Sequence, residues 1–281
     1  MVIDNNMIKD KVTVEILIST MNRTSLSFLN AMFPHHNLDD LNLLVVNQTT
    51  QGHELFSEKE NIRVLNVYEA GLSKSRNLAI ENAMGDICVI ADDDVEYLPD
   101  FIETLLDSFS QIIDASVILF KIETFSKKAY KQYPSKSKRI FSNKGLTNAS
   151  SIEIAFKRLE IVQSNVKFNV LFGLGSRFKS GEEYLFLKGL LKKGMVIWFQ
   201  NKFLVKHSIK RSTSHMESDE FIRAQSAVYY DDYKYVSYLY LFKFIFFLVR
   251  KKMITLKLVP YKLNIGFQAI SEYKEILNNG N

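Results

Sequence analysis

Four short apolar runs, each closed by polar turn residues, constrain this chain more than any other feature: VTVEILIS (12–19), NLLVVNQ (42–48), IRVLNV (62–67) and DICVIA (86–91). In the first, Val12, Val14, Ile16 and Ile18 fall on one face and Leu17 makes the other face apolar too, the pattern of a strand covered on both sides. SKSRNLAIENAMG (73–85) has a serine suited to an N-cap, Leu78, Ala79, Ala83 and Met84 at helical spacing, and Gly85 placed for C′. PDFIETLLDSF (99–109) reads as a helix with Pro99 near its start. The order β-β-β-α-β-α, with parallel-type connections, predicts an α/β sheet. Further strands are expected near 116–122, 152–156, 195–199 and 203–206.

The chain is long enough, at 281 residues and 47% hydrophobic, for one large domain or a domain plus an appendage. Its single cysteine, Cys88, lies inside ICVIA and reads as a small core residue, which excludes a disulfide or zinc framework. Met1 is followed by VIDNNMIKDK, which lacks the apolar stretch of a signal peptide, so a cytoplasmic protein is expected. Net charge is +5, but 121–144 alone carries seven lysines and one arginine against one glutamate. That segment is an electrostatic footprint for an anion or else a solvated, mobile surface loop. No nucleic-acid-binding motif accompanies it, and no nucleic acid partner is expected.

Three consecutive aspartates, Asp92, Asp93 and Asp94, follow DICVIA at the carboxyl end of the strand, where open α/β sheets bind ligands. In an extended segment residues two apart face the same way, so Asp92 and Asp94 converge while Asp93 points elsewhere. Two convergent carboxylates suit Mg²⁺ or Mn²⁺, whose shell phosphate oxygens and water complete. Such a cation would offset the repulsion.

Over roughly 12–207 these residues resemble the inverting GT-A glycosyltransferases of family 2. VEILISTMNR is similar to that family's first strand and nucleotide-binding turn. EAGLSKSRNLAIENAMGDICVIADDDVEYLP is similar to its central block, in which a G-x-S-x-x-R-N helix leads into the D-x-D strand; counting back seven residues from Pro99 puts the D-x-D at Asp92 and Asp94. FGLGSRFKSGEEYLFLKGLLKKG is similar to its acceptor-side segment, where G-E-D or G-E-E opens a helix. The resemblance implies a GT-A (Rossmann-like nucleotide-diphospho-sugar transferase) domain with a C-terminal helical appendage. It implies donor contacts from Thr20, Asn22, Arg23, Gly71, Lys74, Arg76, Asp92 and Asp93, with metal ligation by Asp94, Asp92 and His207. His215 is the alternative histidine, and Lys206, Lys210 and Arg211 are expected to close over phosphates. Arg76 reads equally as a structural partner of the aspartates.

Inversion needs a base opposite the leaving group, for which Glu182 and Glu183 are the candidates. Position 183 shares a helix face with Leu187, Leu190 and Leu191, whereas Glu182 leans toward Gly189 and Lys193, so Glu183 is assigned as base and Glu182 to the acceptor side. Two positions depart from the family. VVNQTT stands where a uracil-recognising aspartate pair is common, so Asn47 and Gln48 are the expected base contacts, since an amide both donates and accepts. Gly189 replaces a frequent arginine.

These readings divide the chain into an N-terminal extension (1–11), a catalytic domain (12–212; nucleotide-binding part 12–98, acceptor part 99–212) and a helical region (213–281). In that last region YVSYLYLFKFIFFLVRKKM is too short and too charged for a span of about 20 residues. It reads as an interfacial membrane helix, or as a helix packed on the catalytic domain or across a homodimer. The function expected is transfer of a sugar from a nucleoside-diphosphate sugar, with UDP favoured over dTDP or GDP, to a glycan or lipid-linked acceptor in polysaccharide or capsule synthesis at the inner face of the cell membrane. The alternative is a non-catalytic sugar-nucleotide-binding or membrane scaffold protein.

Overall fold

The computed structural model describes residues 12–208 and 215–279; the expected extension 1–11 and the phosphate-side Lys210 and Arg211 lie outside them. The strands are β1 (Val14–Met21), β2 (Asn42–Gln48), β3 (Ile62–Val67), β4 (Ile87–Asp92), β5 (Glu96–Tyr97), β6 (Val117–Thr124), β7 (Lys138–Ile140), β8 (Ile154–Lys157) and β9 (Ile197–His207). The helices are α1 (Phe28–Met32), α2 (Leu72–Asn82), α3 (Phe101–Gln111), α4 (Arg158–Ser164), α5 (Glu182–Lys192), α6 (Asp219–Tyr233), α7 (Ser237–Arg250) and α8 (Val259–Asn279).

One mixed sheet runs β3-β2-β1-β4-β8-β6-β9-β5, and β7 also pairs with β9, at its Ile197–Phe199 end. The four apolar runs form its parallel half, β1 to β4. In the other half β8 lies antiparallel between β4 and β6, and the two expected strands near 195–199 and 203–206 are one continuous β9. The alternation in the first run sorts as expected: Val14, Ile16 and Ile18 join the core beneath α1 and α3, and Leu17 joins the core beneath α2, α4 and α5. Burial on both faces is what such strands require in a sheet covered by helices.

The basic segment 121–144 is not a free loop, because it contains the end of β6 and all of β7, and Lys131 is held by buried Glu153 at 2.7 Å. In the C-terminal region α6, α7 and α8 share a third core, which also takes in Phe172 and Phe178 from the loop before α5. One stripe of α7 (Ser237, Leu241, Ile245 and Leu248) is buried in that core, so α7 does pack on its own chain. Among the described residues no helix is long and apolar enough to cross a membrane.

Two helix boundaries differ from the sequence expectation for identifiable reasons. The N-cap of α2 is Gly71 rather than a serine, at φ +135°, a conformation side chains rarely adopt. Gly85 is no C′ glycine: α2 ends at Asn82, and Gly85 is small because a Cβ there would stand 2.6 Å from Glu15 Cβ and 2.9 Å from its backbone nitrogen. The buried Glu15 carboxylate is fixed in turn by the N–H groups of Met84 and Gly85 at 2.6 and 2.9 Å and by Arg63 at 2.6 Å. Gly85→Ala is therefore expected to cost about 1–3 kcal/mol by overpacking, read as a lower urea midpoint; an unchanged midpoint would mean that β1 can move aside.

Candidate active site

The site forms where β1, β2 and β4 end and where α2 and α5 begin. The N-cap of α5 is Gly181, at φ +102°, which sets Glu182 and Glu183 in the first turn of the helix. The loop 172–178 closes onto the start of α2: Ser73 Oγ donates to the Phe172 carbonyl at 2.7 Å and Leu72 N–H to the Leu174 carbonyl at 2.9 Å. The approach is so close that a Cβ on Gly173 would lie 3.2 Å from both the Glu182 carboxyl and Ser73 Oγ.

At the centre is Arg76, whose side chain is 2% exposed. Its Nη2 reaches Asp92 at 3.1 Å and its Nη1 reaches Glu182 at 3.3 Å and Glu183 at 3.2 Å, with the Phe168 ring 5.6 Å from the guanidinium. Burial opposes its charge, yet the carboxylates of Asp92, Glu183 and Glu182 more than offset that and hold Arg76 protonated. One cation therefore joins the aspartate strand to the acceptor-side helix.

The three aspartates do not alternate as an extended segment would, because β4 ends at Asp92 and the chain turns at Asp93 and Asp94. Each takes a different partner. Asp92 has Arg76 and accepts from Ser151 Oγ at 3.2 Å. Asp93 is held by Arg23 at 2.8 Å and by the Thr20 hydroxyl. Asp94, the most open, faces His207 Nε2 at 3.2 Å. His207 Nδ1 donates to the Ser208 carbonyl at 2.7 Å, which fixes the ring. The hydrogen bond between the pair raises the His207 pKa and lowers that of Asp94.

Other expected site residues are placed differently. Asn47 is fully buried and spends its amide on the Arg23 N–H and carbonyl and on Asn66, and Gln48 accepts the Gly71 N–H at 2.7 Å. Both serve as struts under the nucleotide-side turns, because β2 buries them rather than presenting them. Asn22 adopts φ +54°, the left-handed turn that carries the chain from β1 to Arg23. Lys74 sits at the rim on Glu69 at 2.6 Å and Lys206 pairs with Glu96 at 2.6 Å. His215 pairs with Glu217 at 3.3 Å, away from the aspartates. Ser151, which bears on Asp92, belongs to no pattern that singled it out.

The glutamates also sit otherwise than the helix wheel suggests. Glu182 is buried with Phe186 and Leu190 beneath it, whereas the Glu183 side chain keeps 18% exposure. Burial, then the charge of Glu183, pushes the Glu182 carboxyl up to about 8 against the pull of Arg76. Its Oε2 is buried without a hydrogen-bond partner, which a neutral carboxyl tolerates better than a carboxylate. Chemically, the arrangement offers one open carboxylate at the site's edge and a protonated arginine behind it.

Among the described residues no group of three or more His, Cys, Asp or Glu side chains is placed to hold a metal ion. Asp94 and His207 do fit a hard divalent cation whose remaining ligands are phosphate oxygens and water, once His207 presents a neutral Nε2. Asp92 is engaged by Arg76 and is not part of that pair.

Removing the central cation leaves Asp92 and Glu183 partly buried around the Glu182 carboxyl without their shared partner, so Arg76→Met is expected to lose about 3–5 kcal/mol of stability in urea unfolding at neutral pH. Glu182, raised above its ordinary 4.5, holds a proton in the folded chain that the unfolded chain has released. Its stabilisation is full below that ordinary value and is lost as pH rises through about 8. Glu182→Gln should flatten the fall in stability between about pH 4.5 and 8; equal slopes in both proteins would assign that fall to other groups.

Comparison with known proteins follows the same lines. A family model described as glycosyl transferase family 2 matches residues 37–172, and a search of curated protein sequences finds no match. Among solved structures, S. aureus TarS 1–349 superposes with a TM-score of 0.57 at 15% identity, covering 92% of this chain and 81% of that one. The same fragment in complex with UDP-GlcNAc gives 0.57 at 16% identity, with coverages of 92% and 81%. Against the longer TarS structure the score is 0.53 at 15% identity, and the chain spans 49% of that protein. Residues 37–172 thus match the glycosyl transferase family 2 model, within a mixed α/β fold with flanking helices that the chain shares with TarS.

Proposed function

We propose that the protein is an inverting glycosyltransferase that moves a sugar from a nucleoside-diphosphate sugar to a hydroxyl of a glycan or lipid-linked acceptor. The observation that carries this reading is the Arg76 junction, which places the aspartates after β4 within one residue's reach of the glutamates that open α5. A UDP-sugar donor is favoured because the structurally similar TarS fragment was solved with UDP-GlcNAc. In this reading 12–212 is the catalytic domain, with the donor over 12–98 and the acceptor over 99–212, and 213–281 is its helical region. Synthesis of a surface polysaccharide at the inner face of the membrane is the setting we infer.

The acceptor oxygen attacks the anomeric carbon as the bond from that carbon to the diphosphate oxygen breaks, and the hydroxyl proton passes to a carboxylate. Glu183 is assigned that proton because its carboxyl is the accessible one, while Glu182, neutral and buried, supports it without competing for charge. Arg76 holds Glu183 in place beside Glu182. Asp92 and Asp93, fixed by Arg76 and Arg23, orient the donor's ribose and sugar. Asp94 and His207 would hold Mn²⁺ or Mg²⁺, which when bound supplies charge to stabilise the leaving diphosphate.

Calorimetry with UDP, dTDP, GDP and CMP series, with and without Mn²⁺, tests the donor side. One nucleoside diphosphate should bind in a Mn²⁺-dependent manner to the wild type and lose that dependence in Asp94→Ala; no binding under any metal condition would end the transferase reading. Glu183→Gln should keep donor binding and lose about 10²–10⁴-fold in turnover, the usual worth of a positioned base. Unchanged turnover would remove Glu183 as the base.

A further inference from the structure

The face of α7 that points away from its core is apolar. Leu239, Phe242 and Phe246 lie at helical spacing along one stripe of it, 61%, 38% and 58% exposed, and Tyr235 in the turn just before the helix is 76% exposed. Leu256, Leu258 and Tyr261, in the turn after α7 and at the start of α8, are exposed as well. A second observation is charge: residues 233–271 contain seven Lys or Arg and no Asp or Glu, although the whole chain is only +5. Lys262 is paired with Asp219 at 2.7 Å. Among the described residues the other six, Lys234, Lys243, Arg250, Lys251, Lys252 and Lys257, form no ion pair, and Lys243 and Lys251 lie over the rings of Tyr240 and Phe247.

We infer that the outer face of α7 and the α7–α8 turn is a docking surface for an anionic lipid bilayer, with the aromatic and leucine side chains in the headgroup boundary and the unpaired cations on lipid phosphates. A partner with unspecified apolar surface would not call for an acid-free stretch, whereas an anionic membrane attracts each added cation by about 1 kcal/mol near its surface. Aromatic and basic side chains together on a helix that lies flat are the composition of interfacial binding. The 14 residues of α7 are too few to cross a bilayer, and its other stripe is committed to the core it shares with α6 and α8. The surface can therefore lie on a membrane without unfolding. This deepens the membrane-side setting proposed above and is independent of the transfer chemistry.

The test is cosedimentation of the full chain with vesicles of phosphatidylcholine alone and of phosphatidylcholine with about one-third phosphatidylglycerol. At low salt the chain should bind the anionic vesicles at least tenfold more tightly, and added salt should weaken that binding. Leu239→Ser with Phe246→Ser, and separately Lys251→Gln with Lys252→Gln, should each reduce binding about tenfold or more. Phe56→Ser, at an exposed position outside this stretch, should change nothing. All five positions are on the surface, and equal urea midpoints confirm that the variants fold. Equal partition onto neutral and anionic vesicles, or none onto either, overturns the assignment. So does a stable dimer in sedimentation velocity that Leu239→Ser with Phe246→Ser dissociates, since the face would then belong to a second copy of the chain. Because vesicle binding reads no sugar transfer, loss of the transferase reading would leave this result standing, and the converse holds too.

Discussion

A guanidinium buried among three carboxylates is the constraint on which the rest of the site depends. Taking Arg76 out of water is tolerable only while Asp92, Glu182 and Glu183 remain close, and they come from β4 and α5, far apart in the sequence. Each must be delivered by a backbone that cannot drift. Gly181 starts α5 in a conformation that other residues avoid, Gly173 lets the preceding loop press against Glu182, and Gly71 starts α2 beneath Arg76. The glycines of the two blocks that flank Arg76 thus serve a single electrostatic junction.

The same logic explains how three adjacent aspartates coexist. A strand ending at Asp92 followed by a turn sends the carboxylates apart, and each meets its own partner: Arg76, Arg23 and His207. Geometry and these separate partners relieve the repulsion. The aspartates differ in consequence. Asp92 and Asp93 are committed to neighbours in the protein, whereas Asp94, with 63% of its side chain exposed, keeps capacity for something from outside.

What could be read in the sequence was what depends on neighbouring residues. Runs that alternate or stay apolar gave β1 to β4 nearly to the residue, and the glycine before the glutamate pair marked the turn that starts α5. What could not be read depends on residues far away. The strut role of Asn47 requires Arg23 and Asn66 to come beside it, Gly85 is small because of Glu15, and Ser151 matters only because β8 lies against β4. The wheel for α5 misjudged which glutamate is deeper because burial at a first turn is set by the opposing loop, which packs Gly173 on Glu182.

The C-terminal helices bear on the site more than an appendage would. Lys188, on α5 three turns' reach or less from the glutamates, is nearly buried and satisfied only by Asp231 and Asp232 of α6, with Tyr184 and Tyr273 hydrogen-bonded to the same two carboxylates. A Cβ on Gly181 would stand 2.8 Å from Val228, so α6 presses directly on the N-cap that aims Glu182 and Glu183. Phe172 and Phe178, which bracket the loop closing on α2, have their rings in the bundle's core against Tyr273. The bundle therefore acts as the outer wall that holds α5 against Arg76. Its inward faces are fixed by that task, while the outer stripe of α7 and the turn after it face outward.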